Sequence, residues 1–93
     1  MKGYTFIRGV DGFGQDITPA YEEGVYLNYQ KAYEKLQKLT KECIENDKYY
    51  GFKEKDYSKS EYLEKLNKKI DEIQKYDIPP IDYYIMVEVE IIK

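Results

Sequence analysis

The closing segment, residues 81–92, is the feature that most constrains the fold, because its side chains alternate along the chain. One set of alternate positions is large and apolar, namely Tyr83, Ile85, Val87, Val89 and Ile91. The other set is mixed and includes two acids, namely Tyr84, Met86, Glu88 and Glu90. A period of two places these sets on opposite faces of a β-strand. We therefore predict a strand with one face buried under helices and the other partly exposed to water.

Two amphipathic helices are predicted before this strand. Apolar residues recur every three or four positions over residues 29–44, and Asn28 is placed to cap that helix. Ser58 and Glu61 have the spacing of a capping box for a second helix, which we expect to run to about Tyr76.

The N-terminal third predicts two further strands. Residues 3–10 are rich in aromatic and β-branched types, and residues 11–16 have turn composition. Residues 24–27 are predicted as a short second strand, which leaves the long last strand beside the first. The prediction is thus one compact α+β domain over residues 1–93. It has a small, three-stranded, mainly antiparallel sheet in the order ββααβ, with both helices packed on one face.

Composition narrows the function classes. The chain has 15 basic and 18 acidic residues, a net charge of −3, which disfavours binding of duplex nucleic acid. With no histidine and one cysteine, Cys43, it lacks the usual ligands of zinc and the usual proton carrier of enzymes. We therefore predict no cofactor, no metal, no catalytic residues and no enzymatic activity. Glu88 and Glu90 are interpreted as acids that protect an edge strand from aggregation.

The same data predict a cytoplasmic location. No segment approaches the ~20 apolar residues of a membrane span. A lone cysteine fits a reducing compartment, and the first residues lack the apolar run of a secretory signal.

Twelve tyrosines in 93 residues raise the question of a contact surface. Tyrosine combines a large ring with one hydroxyl, which suits half-buried positions and interfaces. Tyrosines in the helix stripes are interpreted as core. The candidate interaction residues lie elsewhere, at a glycine-flanked position and in the lysine-rich connector between the helices: Phe13, Tyr49, Tyr50, Phe52 and Tyr57. The alternative for the connector rings is a lid folded back over the helix ends.

Three stretches carry a resemblance to known proteins. They are Tyr4-Thr5-Phe6-Ile7-Arg8-Gly9, Gly24-Val25-Tyr26 leading into Tyr29-Gln30-Lys31-Ala32, and the closing Tyr83–Ile92 strand. Together they resemble small bacteriophage and mobile-element proteins of the anti-CRISPR kind, which inhibit host defence nucleases stoichiometrically. The resemblance implies an inhibitor or adaptor, and it assigns no functional residue.

The predicted function is a non-enzymatic protein-interaction module with a protein partner, of the phage-type inhibitor class. The alternative is a domain that binds a small ligand or single-stranded nucleic acid through aromatic side chains. A homodimer formed by pairing residues 24–27 with their copy is also predicted.

Overall fold

The computed structural model describes residues 1–12, 14–19, 23–48, 51–76, 79–80 and 82–91. Its elements, in chain order, are β1 (Lys2–Gly12), β2 (Gly14–Pro19), α1 (Tyr29–Asn46), a 3-10 turn (Glu54–Asp56), α2 (Lys59–Gln74) and β3 (Tyr84–Glu90). The predicted α+β class is confirmed.

Both helices begin at the side-chain caps that the sequence predicts. The Asn28 Oδ1 atom accepts a hydrogen bond from the Lys31 N–H at 3.1 Å, and the Ser58 Oγ atom accepts one from the Glu61 N–H at 3.3 Å. Each bond satisfies an amide that has no partner within the helix, which explains why the helices start at these residues.

The core lies between the two helices and the half of the sheet formed by β1 and β3. Its buried hydrophobic members are Phe6, Leu36, Leu39, Ile44, Tyr62, Leu66, Ile70, Ile73, Tyr83 and Ile85. The helix stripes predict most of these residues. Tyr29 and Leu63 also belong to the predicted apolar stripes of the helices, but the structure leaves both side chains exposed.

The sheet has the strand order β2-β1-β3 and both pairings are antiparallel. β1 pairs with β3 over Lys2–Arg8 and with β2 over Ile7–Gly12. Within the described ranges, three strands therefore lie side by side only at Ile7 and Arg8. Elsewhere two strands pair, and β1 and β2 form a two-stranded antiparallel ribbon. The predicted regular three-stranded sheet under two helices is wrong in this respect.

The predicted second strand is also misplaced. It was expected at residues 24–27, but the strand that follows β1 is Gly14–Pro19. Residues 24–27 instead make a single antiparallel bridge, in which Tyr26 pairs with Tyr4. The bridge lies on the same side of β1 as β2, so the segment extends that edge of the sheet by one residue pair.

The physical reason for the error is that a hairpin ladder is made of backbone groups. Glycine, aspartate and glutamine in residues 11–16 favour a turn by propensity, yet their N–H and C=O groups bond across strands as well as any others. Residues 11, 12 and 14–16 of the predicted turn are paired strand residues, with Gly12 opposite Gly14. Pro19 is the last residue of β2, a strand end where a missing N–H is tolerated.

Strand register assigns the faces of the sheet. Tyr4, Phe6 and Arg8 share one face of β1, and cross-strand pairing adds Tyr84 and Met86 to it. Helix α1 approaches this face, because the Tyr4 ring contacts Tyr29 at its start and Arg8 lines a cavity with Cys43 near its end. Thr5, Ile7, Val87 and Val89 consequently lie on the opposite face.

Candidate functional site

The described part of the predicted connector site folds back onto helix α2. The Phe52 ring meets the Tyr57 and Tyr62 rings edge-on, with centroids 5.9 and 5.7 Å apart. The Lys65 ammonium lies 5.4 Å from the Phe52 centroid and 5.0 Å from the Tyr57 centroid. Phe52 and Tyr57 are half-buried and pack against the core. These contacts match the lid alternative, and stacking a nucleic-acid base on the ring faces that Lys65 covers would require that side chain to move away.

Gly51 shows how closely this lid approaches helix α1. A side chain at this position would collide with the carbonyl oxygens of Ile44 and Asp47, at the C-terminal end of α1. Only glycine fits such a close backbone approach. The other predicted interaction residues, Phe13, Tyr49 and Tyr50, lie outside the described residues.

A cavity of about 1060 Å³ lies between α1, the end of α2 and the segment before β3. This volume is at the upper end of the range for small-molecule sites, ~300–1,000 Å³. The polar groups that line the cavity form hydrogen bonds with one another. The Arg8 guanidinium donates to the Asp82 carboxylate at 2.7 Å, and the Cys43 Sγ atom donates to the Asp82 carbonyl oxygen at 2.8 Å. The Tyr83 hydroxyl donates to the Asp47 Oδ2 atom at 2.9 Å.

Burial and neighbouring groups keep the Cys43 thiol, the Tyr83 hydroxyl and the Arg8 guanidinium protonated at neutral pH. Burial, reinforced by the Asp82 carboxylate, raises the pKa of the Cys43 thiol to about 11. Burial and the hydrogen bond to Asp47 raise the pKa of Tyr83. The hydrogen bond to Asp82 raises the pKa of Arg8. The thiol and the phenol therefore act as hydrogen-bond donors rather than nucleophiles, an arrangement suited to holding the fold or a polar ligand.

A third surface was not predicted as a site. Val25, Leu27 and Tyr29 expose 50%, 62% and 54% of their surface, and we call these three residues the corner patch. The sequence prediction placed the first two in a strand and the third in the buried helix stripe. Alternation along the sequence could have predicted the exposure of the first two. Successive side chains of an extended segment point to opposite sides, so when Tyr26 points toward the core, Val25 and Leu27 point away from it.

Fixed backbone holds the corner patch in place. The Tyr26 N–H and C=O groups bond to Tyr4 at 2.8 and 2.7 Å. The Thr5 hydroxyl donates to the Gly24 carbonyl oxygen at 3.1 Å, and Gly24 has a φ of +89°, which favours glycine. The Tyr29 ring is held edge-on against Tyr4, with centroids 5.4 Å apart. The patch is therefore anchored at both of its ends.

A groove of about 610 Å³ lies between the helices, and it is lined in part by Tyr26, the residue between Val25 and Leu27 of the corner patch. Leu63, 43% exposed, and Leu66 contribute apolar surface to it. Its rim carries the α1 lysines Lys31, Lys35, Lys38 and Lys41. An apolar centre with a charged rim is the usual composition of a protein–protein interface.

Comparisons with protein-family models, curated proteins and solved structures gave no significant match. Within the residues that the structure describes, no helix is long and apolar enough to cross a membrane. In the same ranges, no three cysteine, aspartate or glutamate side chains are grouped to hold a metal ion.

Proposed function

We propose that this protein is a non-enzymatic interaction module that binds a partner protein through the corner patch. The observation that carries the proposal is that Val25, Leu27 and Tyr29 are at least half exposed on anchored backbone. Single exposed apolar residues are common on protein surfaces and need no explanation. The three lie within five positions at the edge of the sheet, with Val25 beside Gly3 on one face of β1 and Tyr29 against Tyr4 on the other, so apolar surface is exposed around this edge, where a partner can contact it.

Preorganisation adds to this argument. A partner that binds the patch does not have to order the loop, because the bridge to Tyr4 and the Asn28 cap already fix it. The entropy cost of binding is then smaller for a given contact area. Tyr29 supplies an aromatic anchor of the type enriched among the residues that dominate binding energy.

The more specific proposal is a phage-type stoichiometric inhibitor of a bacterial defence nuclease. It rests on the resemblance to small bacteriophage proteins, and the corner patch supplies a surface for it. An inhibitor of this kind abolishes cleavage at about one inhibitor per nuclease. A nuclease that retained full activity at a tenfold excess of the protein would argue against this class of partner.

The experiment that tests the module is affinity capture from a bacterial lysate with the full chain as bait. Three baits are compared, and the first two are the natural chain and a variant carrying Val25→Ser and Leu27→Ser. We expect the natural chain to recover one protein stoichiometrically and the variant to lose it. A Lys55→Ser bait, changed at an exposed position of the connector, is the matched control and is expected to retain it. Failure to recover a partner, or equal recovery by the double variant, would contradict the proposal.

A second candidate function is small-ligand binding in the cavity, favoured by its volume and by the tyrosines Tyr76, Tyr83 and Tyr84 that line it. A ligand that binds only the folded state raises the melting temperature, by the equivalent of about 2.7 kcal/mol at 100 times its Kd. A thermal-shift screen of metabolites tests this function. A true hit is expected to lose its effect in a Tyr76→Ala variant, and a screen without hits would remove the candidate.

A further inference from the structure

The outer edge of β3 presents backbone groups that β1 does not use. The Gly9 N–H donates to the Tyr83 carbonyl oxygen at 3.1 Å, and the Ile91 N–H donates to the Met1 carbonyl oxygen at 2.8 Å. Odd-numbered residues thus bond toward β1. Because successive residues of a strand direct their N–H and C=O groups to opposite sides, the even-numbered residues of β3 direct theirs to the open edge.

One side chain of α2 occupies the first half of this edge. The Gln74 amide nitrogen donates to the Tyr84 carbonyl oxygen at 3.1 Å, and its amide oxygen accepts from the Met86 N–H at 2.8 Å. This side-chain amide stands where the peptide group of a neighbouring strand would lie. Beyond it, among the described residues, the outward backbone groups of Glu88 and Glu90 have no hydrogen-bond partner.

The side chains around these open groups are two acids, each in an ion pair with a cation of residues 1–2. The Glu88 and Glu90 side chains are 50% and 64% exposed, and both lie on one face of β3. Lys2 and the N-terminal amine are close to them, at 3.8 and 3.0 Å. The intervening Val87 and Val89 lie on the opposite face and are half-buried. The edge therefore combines open hydrogen-bonding groups, two acids on one face and aliphatic surface on the other.

We propose that the edge of β3 at Glu88–Glu90 is a strand-addition site for an extended, basic segment of a partner protein. The inference rests on the proposed function as a protein-interaction module, but it concerns a surface other than the corner patch. Strand addition supplies affinity through backbone hydrogen bonds and specificity through alternate side chains. Lysine or arginine at alternate positions of the added segment would face the two glutamates, and small apolar residues would face the valines.

The same charges argue against a second copy as the occupant. An antiparallel pairing of β3 with β3 of another molecule would bring the glutamates of both strands next to each other, and like charges across strands are destabilising. The homodimer expected at residues 24–27 also loses part of its basis, since the Tyr26 backbone groups are bonded to Tyr4. A basic partner segment is the occupant that the edge favours.

The test uses the full ¹⁵N-labelled chain and two blocked pentapeptides as probes, Val-Lys-Val-Lys-Val and Val-Glu-Val-Glu-Val. We expect the lysine peptide to shift the amide resonances of Glu88 and Glu90, to slow their hydrogen exchange, and to bind at least about fivefold more tightly than the glutamate peptide.

Three variants sharpen the test. Glu88→Lys combined with Glu90→Lys is expected to reverse the peptide preference, whereas Glu64→Lys, at an exposed site on α2, is expected to preserve it. Glu88→Pro removes one outward N–H and leaves the groups bonded to β1 in place, so it is expected to abolish peptide binding in a folded chain. Circular dichroism verifies that each variant is folded.

Several results would overturn the inference. They are equal affinity for the two peptides, an unchanged preference in the charge-reversed variant, and protection of the Glu88 amide by self-association without peptide. Shifts confined to Val25, Leu27 and Tyr29 would also overturn it while leaving the interaction module intact. Conversely, selective binding of the lysine peptide by a chain that captures no protein through the corner patch would support the edge site and contradict the proposed patch.

Discussion

Single residues in this protein are often fixed by one backbone contact that sets both their geometry and their chemistry. Cys43 illustrates this, because its Sγ atom lies 2.8 Å from the Asp82 carbonyl oxygen and its side chain is half-buried. Asp82 itself has a φ of +69°, an unusual conformation for a residue with a side chain. Its ion pair with Arg8 of β1, at 2.7 Å, helps to hold this conformation.

The thiol contact gives a prediction about reactivity. The folded pKa of Cys43, about 11 against an ordinary 9.0, leaves about 100-fold less thiolate at pH 8 in the folded chain than in the unfolded one. Labelling with a chromogenic disulfide is expected to show a pH midpoint near 11 for the folded chain and near 9 in guanidinium chloride. A folded-state midpoint near 9 would contradict it.

The same pKa shift links Cys43 to stability. The folded state holds the thiol proton more tightly, so this contribution to the free energy of unfolding is complete below pH 9 and declines as the pH rises toward about 11. A Cys43→Ala variant is expected to show a smaller decline in stability over this range, measured by urea unfolding at each pH. A decline equal to that of the natural chain would show that other groups, Tyr83 among them, are responsible.

Residue-level prediction from the sequence succeeds where the cause is local. The Asn28 and Ser58 caps are predicted correctly, because capping depends on residues within three positions. Tyr29 is predicted incorrectly as buried, because its exposure depends on where Tyr4 and the sheet edge lie relative to the first turn of α1. The corner patch could not be found without that long-range information.

At the scale of elements, a helix side chain bonds to the first half of the outer edge of β3. Gln74 supplies both a donor and an acceptor to that strand. This arrangement protects residues 84–86 from pairing with another chain, a hazard of any exposed sheet edge. It also ties the end of α2 to the sheet without a strand in between.

Gln74→Ala is expected to destabilise the fold by about 1–3 kcal/mol, because two half-buried backbone groups lose their partner. Gln30→Ala, at an exposed position of α1, is the matched control and is expected to change stability by less than about 0.5 kcal/mol. Urea unfolding of both variants measures the difference. Equal stabilities for the two variants would mean that water replaces the Gln74 bonds without cost.

The elements that the sequence misplaces have no side-chain periodicity that predicts their pairing. Helices α1 and α2 and strand β3 have side-chain periodicities that a reader of the sequence can recognise, and β3 does lie beside β1 as expected. The ribbon of β1 and β2 has no comparable pattern over residues 11–16, where glycine and polar residues predominate. The predicted strand at 24–27 had the right composition, but it pairs at Tyr26 alone.

The whole molecule has two chemically different sides. The connector side is closed by the lid of Phe52 and Tyr57, which pack on Tyr62 and beneath Lys65. The corner patch leaves apolar side chains uncovered on anchored backbone. Composition raises the question of a contact surface, whereas the exposure of the corner patch follows only from the packing of the helices on the staggered sheet. The central proposal is that a partner protein binds at the corner patch.

Two tyrosines with nearly equal exposure provide the most direct test of that claim. Tyr29, in the patch, is 54% exposed, and Tyr76, beside the cavity, is 48% exposed. The measurement is the Kd of the captured partner for Tyr29→Ala and for Tyr76→Ala, each verified as folded. We predict that Tyr29→Ala raises the Kd by about 30-fold or more, the equivalent of about 2 kcal/mol, and that Tyr76→Ala changes it by less than about twofold. A large loss with Tyr76→Ala and none with Tyr29→Ala would contradict the account and place the contact at the cavity.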